Sequence, residues 1–370
     1  MRKFILIASA FCNSAVSIAQ VTNTGVMDTT DVQKEGKVTV GGYVDAYYGF
    51  DFNEPKSADR PYFVSMARHN EFTINLAYAD IKYSSQNIRA RFVPGFGTYI
   101  NANYTAEPGV LKNIVEGYAG IRLSQKREIW LDAGVFGSPY TNESAISKDH
   151  LMYTRSFAPE YVPYYLSGLK LSYTLNSKVN LYLYLLNGWQ QIQDLNSDKS
   201  IGTQVEYRPA KKWLINWNTY VGNEVSSVTP QNRARYFTDV FFIYNPDGKF
   251  SATGCAYFGV QQRRDLAGKM VNHNWWQANL IGRLRFGKAS SVAARVEYFN
   301  DPNSVQIAPI TATNGFSSFS ASVGYNYQIA HNIMVRFEGR TFWSDEKVYI
   351  RKGSAVNTSN LVISNLTLWF

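Results

Sequence analysis

The connections between predicted strands alternate strictly between short and long along this chain. From Lys37 onward, segments of about ten residues place apolar side chains at every second position, which is the period of a β-strand with one apolar face. Turns rich in Ser, Asn, Asp, Gly and Pro separate these segments. The sixteen predicted strands are 37–51, 70–84, 87–100, 113–124, 127–138, 164–175, 178–190, 199–209, 212–222, 234–245, 249–261, 274–287, 291–300, 316–328, 332–343 and 359–370.

This alternation favours a transmembrane barrel over a soluble β-sandwich. In a sandwich, connection lengths are not sorted by end. In an outer-membrane barrel the strand number is even, the periplasmic turns are short and the extracellular loops are long. A tilted strand needs about nine to eleven residues to cross a membrane, and the predicted segments are long enough. We therefore predict an all-β fold, a single antiparallel transmembrane β-barrel over residues 37–370, in which strand 359–370 pairs with strand 37–51.

The aromatic residues support the same architecture. They make up 15% of the chain, and outer-membrane barrels carry aromatic girdles at both membrane interfaces. In strand 70–84 the apolar phase changes between Leu76 and Ile81, which predicts a β-bulge near Ala77. The outward positions before the short turns are predicted to form one girdle, and its members are Tyr83, Tyr173, Tyr207, Tyr244, Phe286, Tyr327 and Phe370.

The N-terminus predicts export from the cytoplasm. Arg2 and Lys3 precede an apolar stretch, and small residues near Ala19 resemble a cleavage site, so residues 1–19 are predicted to be a signal peptide. Residues 20–36 are polar without a clear period, and we expect a flexible lead. The mature chain would then hold only Cys255 and no intrachain disulfide. The predicted location is the outer membrane of a Gram-negative bacterium, with outer-membrane lipids around the barrel.

The strand phase opposite to the apolar one is predicted to face the lumen. Its charges have two interpretations: they line an aqueous pore, or they pair and plug the interior as in narrow barrels. At sixteen strands the lumen is too wide for side chains alone to fill, which favours the pore. The predicted pore-lining residues are Arg89, Arg91, Arg283, Arg285, Arg295, Glu297, Arg336, Glu338 and Arg340.

The arginines of strands 274–343 predict a mild preference for anions. If the turn between strands 274–287 and 291–300 centres on Ala289, Arg283 and Arg295 lie directly opposite each other. Like charges opposed on a sheet are destabilising, so a purely structural role would avoid them. We therefore expect these guanidinium groups to face water and to attract anions.

Loop 139–163 is the longest predicted connection. One interpretation places it inside the pore as a constriction, because it is the third long loop, which narrows the pore in trimeric general porins by analogy. The alternative is an extracellular loop that caps its neighbours. The charged residues of the predicted constriction are Glu143, Asp149, Arg155 and Glu160.

The sequence offers little for an enzyme. No strand presents a His beside a Ser, and no phosphate-binding, zinc-binding or redox motif occurs. The neighbours Asp149 and His150 are best interpreted as a solvated loop pair. We predict no catalytic residue, no metal site, no cofactor and, because the basic residues are spread around the barrel, no nucleic-acid partner.

Five segments carry a resemblance to a known family: HNEFTINLAYADIKY (69–83), VPYYLSGLKLSY (162–173), LLNGWQQI (185–192), ARVEYFND (294–301) and VRFEGRTF (335–342). Over most of the mature chain, and in this order, they resemble the β-barrel porin family of Bacteroidota-type outer membranes, with NGWQ and R-x-E-Y-x-x-D as the most specific pieces. The resemblance implies an outer-membrane barrel with porin activity and brings no catalytic residues. A terminal aromatic such as Phe370 also resembles the signal read by the barrel assembly machinery.

Together these observations predict a porin that lets small hydrophilic solutes diffuse passively, either as a monomer or as a homo-oligomer. The alternative is an outer-membrane barrel with a ligand-binding, adhesin-like or structural role through its extracellular loops.

Overall fold

The computed structural model describes residues 36–370. The predicted signal peptide, residues 1–19, and the lead up to residue 35 lie outside the described residues. Among the described residues, no helix has the length and apolar character needed to cross a membrane.

Eighteen strands and two short α-helices follow one another within residues 36–370. The helices are α1 (Thr98–Asn103) and α2 (Phe157–Glu160). The strands are β1 (Lys37–Asp51), β2 (Phe72–Ser84), β3 (Ile88–Phe96), β4 (Ile114–Arg122), β5 (Ile129–Gly137), β6 (Tyr165–Asn176), β7 (Val179–Leu186), β8 (Ser200–Tyr207), β9 (Trp213–Asn223), β10 (Asn232–Tyr244), β11 (Phe250–Arg264), β12 (Met270–Phe286), β13 (Ser290–Asp301), β14 (Phe316–Ala330), β15 (Ile333–Trp343), β16 (Tyr349–Arg351), β17 (Ser354–Val356) and β18 (Thr358–Trp369).

Sixteen of these strands close into one antiparallel barrel, which confirms the predicted architecture. Each strand pairs with its neighbours in the sequence, and β18 pairs with both β15 and β1. At the seam, Tyr43 lies opposite Trp369 and Asp51 lies opposite Leu361. Closure leaves the barrel strands without a free sheet edge along these pairs, so the backbone polar groups are satisfied within the sheet. The remaining strands, β16 and β17, form a small hairpin in a connection predicted as loop.

The predicted phase of the strands is confirmed. Outward residues such as Val292, Val296 and Val323 are exposed and apolar, whereas inward residues such as Arg295 and Glu297 are buried. An apolar outer face matches hydrocarbon, and a polar inner face matches a lumen. At the short-turn end the outer face exposes aromatic rings, among them Tyr83, Tyr207, Phe286, Tyr327 and Phe370.

A bulge interrupts β2, two residues before its predicted position. Asp45 pairs with Leu76 and Ala46 pairs with Ile74, so Asn75 is the extra residue. Its side chain points inward, where it accepts a hydrogen bond from the Met66 backbone N–H (2.9 Å) and donates one to Asp45 (3.3 Å). These contacts explain the displacement, because the extra residue sits where a loop and β1 offer partners for its amide.

The connections keep the predicted alternation of lengths, with two differences. Strands β11 and β12 extend further than predicted, so their connection is only residues 265–269. The turn between β12 and β13 centres on Lys288, because Phe286 pairs with Ser290. Arg283 therefore lies opposite Ala293, and Arg295 lies opposite Ile281, so the predicted direct opposition of Arg283 and Arg295 is wrong.

Candidate functional site

The connection between β5 and β6, residues 138–164, lies inside the barrel, and we name it the inner loop. Its residues are buried apart from Ile146, Lys148, Asp149, Glu160 and Tyr161, which are partly exposed. A loop that only capped the barrel would expose most of its residues to water. The residues of the inner loop are instead covered by the inner face of the barrel.

Hydrogen bonds attach the inner loop to the wall across the lumen from its own strands. Thr141 N–H donates to Asp239 of β10 (2.6 Å), Phe157 N–H to Glu297 of β13 (2.6 Å), and Thr154 N–H to Glu338 of β15 (2.7 Å). Further hydrogen bonds from the loop reach wall residues Tyr43, Asn218, Thr253, Asn279, Asn326 and Thr367. The loop therefore crosses the whole lumen and reaches β1, β9–β15 and β18.

Small wall residues make room for the loop. At Gly324, which points inward from β14, an added Cβ would lie 3.2 Å from the Met152 Cε. At Gly202 of β8, an added Cβ would lie 3.3 Å from the Tyr140 hydroxyl oxygen. The position of the inner loop thus depends on small residues of the wall as well as on residues of the loop itself.

Buried ion pairs join the predicted pore-lining residues of β13 and β15. Arg295 lies 3.0 Å from Glu338 and 3.3 Å from Glu297, and Arg340 also contacts Glu297. Arg295 and Arg340 further donate to the backbone carbonyls of Thr154 and Arg155, each at 2.7 Å. The expectation that these guanidinium groups face water is wrong, because the inner loop covers them and two glutamates neutralise them.

The other three predicted pore-lining arginines of β12 and β15, which are Arg283, Arg285 and Arg336, have no carboxylate within 4 Å among residues 36–370. Arg336 is buried and donates to the Met152 carbonyl (3.2 Å). Arg283 donates to Ser251 (3.0 Å) and to the Pro246 carbonyl, and Arg285 donates to the Asp247 carbonyl (2.7 Å). Arg283 and Arg285 thus lie at the short-turn mouth of the lumen, and Arg336 lies beneath the loop.

The opposite wall holds a second set of ion pairs. Arg89 makes a two-point contact with Asp132 at 2.7 and 2.6 Å, and Lys170 lies 3.2 Å from the same carboxylate. Arg91 bridges Asp80 (2.9 Å) and Glu116 (2.7 Å). The side chain of Arg91 is 14% exposed and that of Asp80 13%, so this wall keeps contact with water, whereas Arg295 and Arg340 do not.

The four predicted constriction residues are placed differently from one another. Glu143 accepts from Ser156 N–H (2.9 Å) and lies 3.6 Å from Arg155, which is fully buried. Glu160 accepts from Val64 N–H (2.6 Å), and burial raises the pKa of its carboxyl. Asp149 pairs with Lys148 (2.7 Å) at the partly exposed tip. Only Asp149 and Glu160 thus remain partly exposed.

The hydrogen-bond partner of His150 is Ser144 and not the neighbouring Asp149. The Ser144 backbone N–H donates to His150 Nε2 (2.8 Å), which requires that nitrogen to be unprotonated. Burial, together with Arg155 and Arg336 nearby, holds the pKa of His150 well below its usual range. The imidazole therefore stabilises a turn within the inner loop in its neutral form.

Aromatic rings close much of the space at the long-loop end. Phe157 of the inner loop packs against Phe63, Phe299, Phe316 and Phe342, with ring centroids 5.7 to 6.0 Å apart. The guanidinium of Arg340 lies 4.4 Å from the Phe342 ring centroid. This lumen is therefore more filled than the strand number alone predicts, because one loop and its aromatic contacts occupy it.

Sequence reasoning did not single out several of these residues. Thr154, Ser147, Asn279 and Asp80 carry key contacts, yet each is a common polar residue in a loop or at an inward strand position. The inward phase signals that Asn279 faces the lumen. Nothing in the sequence signals which wall the loop reaches.

Comparison with known proteins places this geometry in a family. Residues 37–370 match the family described as "Putative beta-barrel porin-2, OmpL-like". No curated protein sequence matches the chain. The fold is similar to the outer membrane channel DcaP of Acinetobacter baumannii, with a TM-score of 0.63, 10% identity and coverage of 92% of this chain and 99% of that one.

Two further porins share the fold. The anion-selective porin from Comamonas acidovorans has a TM-score of 0.57 and 10% identity, and it covers 91% of this chain and 100% of its own. Salmonella typhi OmpF in complex with daunomycin has a TM-score of 0.58 and 12% identity, with 90% and 98% covered. At these identities the likeness shows the fold alone. The match over residues 37–370 shows more: the chain belongs to the OmpL-like β-barrel porin-2 family of outer-membrane proteins.

Proposed function

We propose that the protein is a porin through which small hydrophilic solutes diffuse passively, and that the inner loop is its constriction. The observation that carries the proposal is the inner loop itself, which is bonded to the wall of a sixteen-stranded barrel and narrows its lumen. The partly exposed charges of Arg91 and Asp80 lie on the opposite wall. We place the path of the solutes past these partly exposed charges rather than past the buried ion pairs of Arg295 and Arg340.

Planar-bilayer conductance of the purified barrel tests this proposal. We expect small single-channel steps in the wild type, and larger steps when residues 144–155 are replaced by a short Gly-Ser linker. A wild-type barrel that inserts but never conducts would refute passive diffusion. Heat-modifiable gel mobility controls for folding of both forms.

A weak preference for anions is the finer part of the proposal. The ion pairs of Arg295 and Arg340 are neutralised, so the preference rests on Arg283 and Arg285 at the short-turn mouth. The expected result is an anion-selective reversal potential in a salt gradient that shifts toward neutrality in Arg283→Ser/Arg285→Ser. Lys56→Ser/Lys347→Ser is the matched control, because it removes two positive charges at exposed positions of the long connections, away from the short-turn mouth. A cation-selective wild type contradicts this assignment.

The filled long-loop end favours a second candidate, a barrel with a structural or ligand-binding role through its loops. The aromatic packing around Phe157 is the observation behind it. Conductance separates the two candidates, because a plugged barrel conducts in neither the wild type nor a variant that keeps the plug.

We also propose assembly with further copies of the chain. OmpT of Vibrio cholerae, which shares the fold at a TM-score of 0.56 and 10% identity, is recorded in a trimer form. Light scattering of the protein in mild detergent gives the oligomeric mass, and a monomeric mass at all concentrations would contradict the proposal.

A further inference from the structure

The short-turn end of the barrel carries a clear excess of positive charge, whereas the long connections are close to neutral. The short turns, residues 85–87, 123–128, 177–178, 208–212, 245–249, 287–289 and 331–332, contain eight Lys or Arg and two acidic residues. The long connections between the other strand pairs contain eleven basic and thirteen acidic residues over a much longer stretch of chain. Solubility alone does not require one sign of charge to be concentrated at the short-turn end.

Six lysines form most of this charge, and we name them the basic rim: Lys126, Lys178, Lys211, Lys212, Lys249 and Lys288. All six are exposed. None has a carboxylate within 4 Å among residues 36–370. In the long connections Lys199 and Lys352 pair with Asp194 and Glu54, whereas Lys56, Lys112, Lys269 and Lys347 are unpaired like the rim lysines, so what sets the rim apart is its concentration at one end. The rim therefore presents ammonium groups that are free to bind an anion.

The basic rim lies just beyond the aromatic rings that mark the membrane interface. Tyr207 directly precedes turn 208–212, and Phe286 directly precedes turn 287–289. Both rings are exposed on the outer face. In the turn 123–128, the Arg127 guanidinium donates to the Tyr173 hydroxyl (3.0 Å), which ties a turn cation to a ring of the girdle. Aromatic girdles sit at headgroup level, so the cations next to them reach the phosphate layer.

We propose that the basic rim binds anionic phospholipid headgroups of the leaflet that it faces. In an outer-membrane barrel the short turns face the periplasm, so this is the periplasmic leaflet. A lysine ammonium is a compact cation with three donors, which suits a phosphate oxygen. Each cation near an anionic membrane surface raises affinity about fivefold, and the attraction extends only about 8 Å at physiological salt. The rim lies next to the aromatic girdle, so its lysines are close enough to the headgroups for this attraction to act.

Fluorescence quenching by brominated lipids tests the proposal with a reporter already in place. Trp213 follows Lys211 and Lys212, is exposed on the outer face, and packs on Tyr244 with ring centroids 4.7 Å apart. The folded protein is reconstituted into vesicles that contain equal mole fractions of brominated phosphatidylglycerol or brominated phosphatidylcholine. We expect stronger quenching by phosphatidylglycerol, and we expect Trp213→Phe to remove most of the difference.

A rim variant and a matched control locate the binding. The rim variant changes all six rim lysines to Gln, and we expect its preference for phosphatidylglycerol to fall at least about tenfold. The control changes to Gln the six lysines of the long connections outside the inner loop. They are Lys56, Lys112, Lys199, Lys269, Lys347 and Lys352. The control should keep the preference. Heat-modifiable mobility checks that both variants fold, and high salt should abolish the preference in the wild type whatever the variants do.

Four results would overturn the proposal. Equal quenching by the two lipids in the wild type is the first, and a preference that persists in the rim variant or at high salt is the second. Displacement of the lipid signal by inorganic phosphate alone would reassign the rim to a free anion. Rim-dependent pelleting with purified cell-wall sacculi, without a lipid preference, would reassign it to that polymer.

Discussion

Glu338 anchors the inner loop, and its removal should release the loop without unfolding the barrel. Its carboxylate accepts from Thr154 N–H (2.7 Å), from the Thr154 hydroxyl (2.6 Å) and from Arg295 (3.0 Å), and all three groups are buried. Hydrogen bonds to a charged group contribute about 1.5–3 kcal/mol each, and breaking a buried ion pair costs about 3–5 kcal/mol. Glu338→Ala should therefore destabilise the docked loop by about 3–5 kcal/mol, which raises the population of the released loop about 150- to 5,000-fold.

Trypsin measures this population, because Lys148 and Arg155 lie within the inner loop. Cleavage follows the fraction of released loop when docking is fast relative to proteolysis. We expect cleavage of folded Glu338→Ala at these two sites at a rate that the wild type does not approach. The control is Glu116→Ala, which breaks an inward ion pair with Arg91 that the loop does not touch. Equal cleavage of wild type and Glu338→Ala would refute the anchoring role.

Three further predictions use other parts of the structure. Gly324→Val should displace the inner loop and raise single-channel conductance, because its Cβ would lie 3.2 Å from Met152 Cε, whereas outward Gly339→Val, with nothing within 4 Å, should leave conductance unchanged. Asn75→Ala should cost about 1–3 kcal/mol, seen as a lower temperature for loss of the folded gel mobility, since it removes a buried partner of Met66 and Asp45; an unchanged temperature would contradict the role of the bulge. His150 is neutral in the docked loop, where its pKa is low, whereas in the released loop it takes up a proton below its ordinary pKa of about 6.5. Docking of the loop therefore weakens as the pH falls below that value. Conductance should rise on acidification in the wild type and lose this dependence in His150→Gln.

The strand order and the strand phase could be predicted because both depend on local patterns. Apolar and polar residues alternate along β13 and β14 with the period that a two-faced sheet requires, and turn residues mark the short connections. Positions within turns were less certain. The turn between β12 and β13 was predicted one residue late, and a shift of that size moved Arg295 from Arg283 to Ile281.

The interior could be predicted only in outline. The inward phase signalled Arg295, Glu297, Glu338 and Arg340, but their pairing and burial depend on a loop that arrives from the other side of the barrel. The Thr154–Glu338 contact joins residues that are 184 positions apart, and no local rule encodes such a distance. The width of a sixteen-stranded lumen favoured a pore, and loop 139–163 inside it was one of two interpretations, but strand geometry does not predict how much of the lumen such a loop fills.

The contacts of the inner loop have a consequence for the order of folding. Most of its wall partners belong to β9–β18, which follow it in the chain, and one contact joins Ser147 to Thr367, 220 positions apart. Contacts of such long sequence separation form slowly, since a large loop must close before they stabilise anything. The seat for residues 138–164 is complete only when β18 has paired with β1. The barrel is therefore expected to insert as an open cylinder, with docking of the inner loop as its final step.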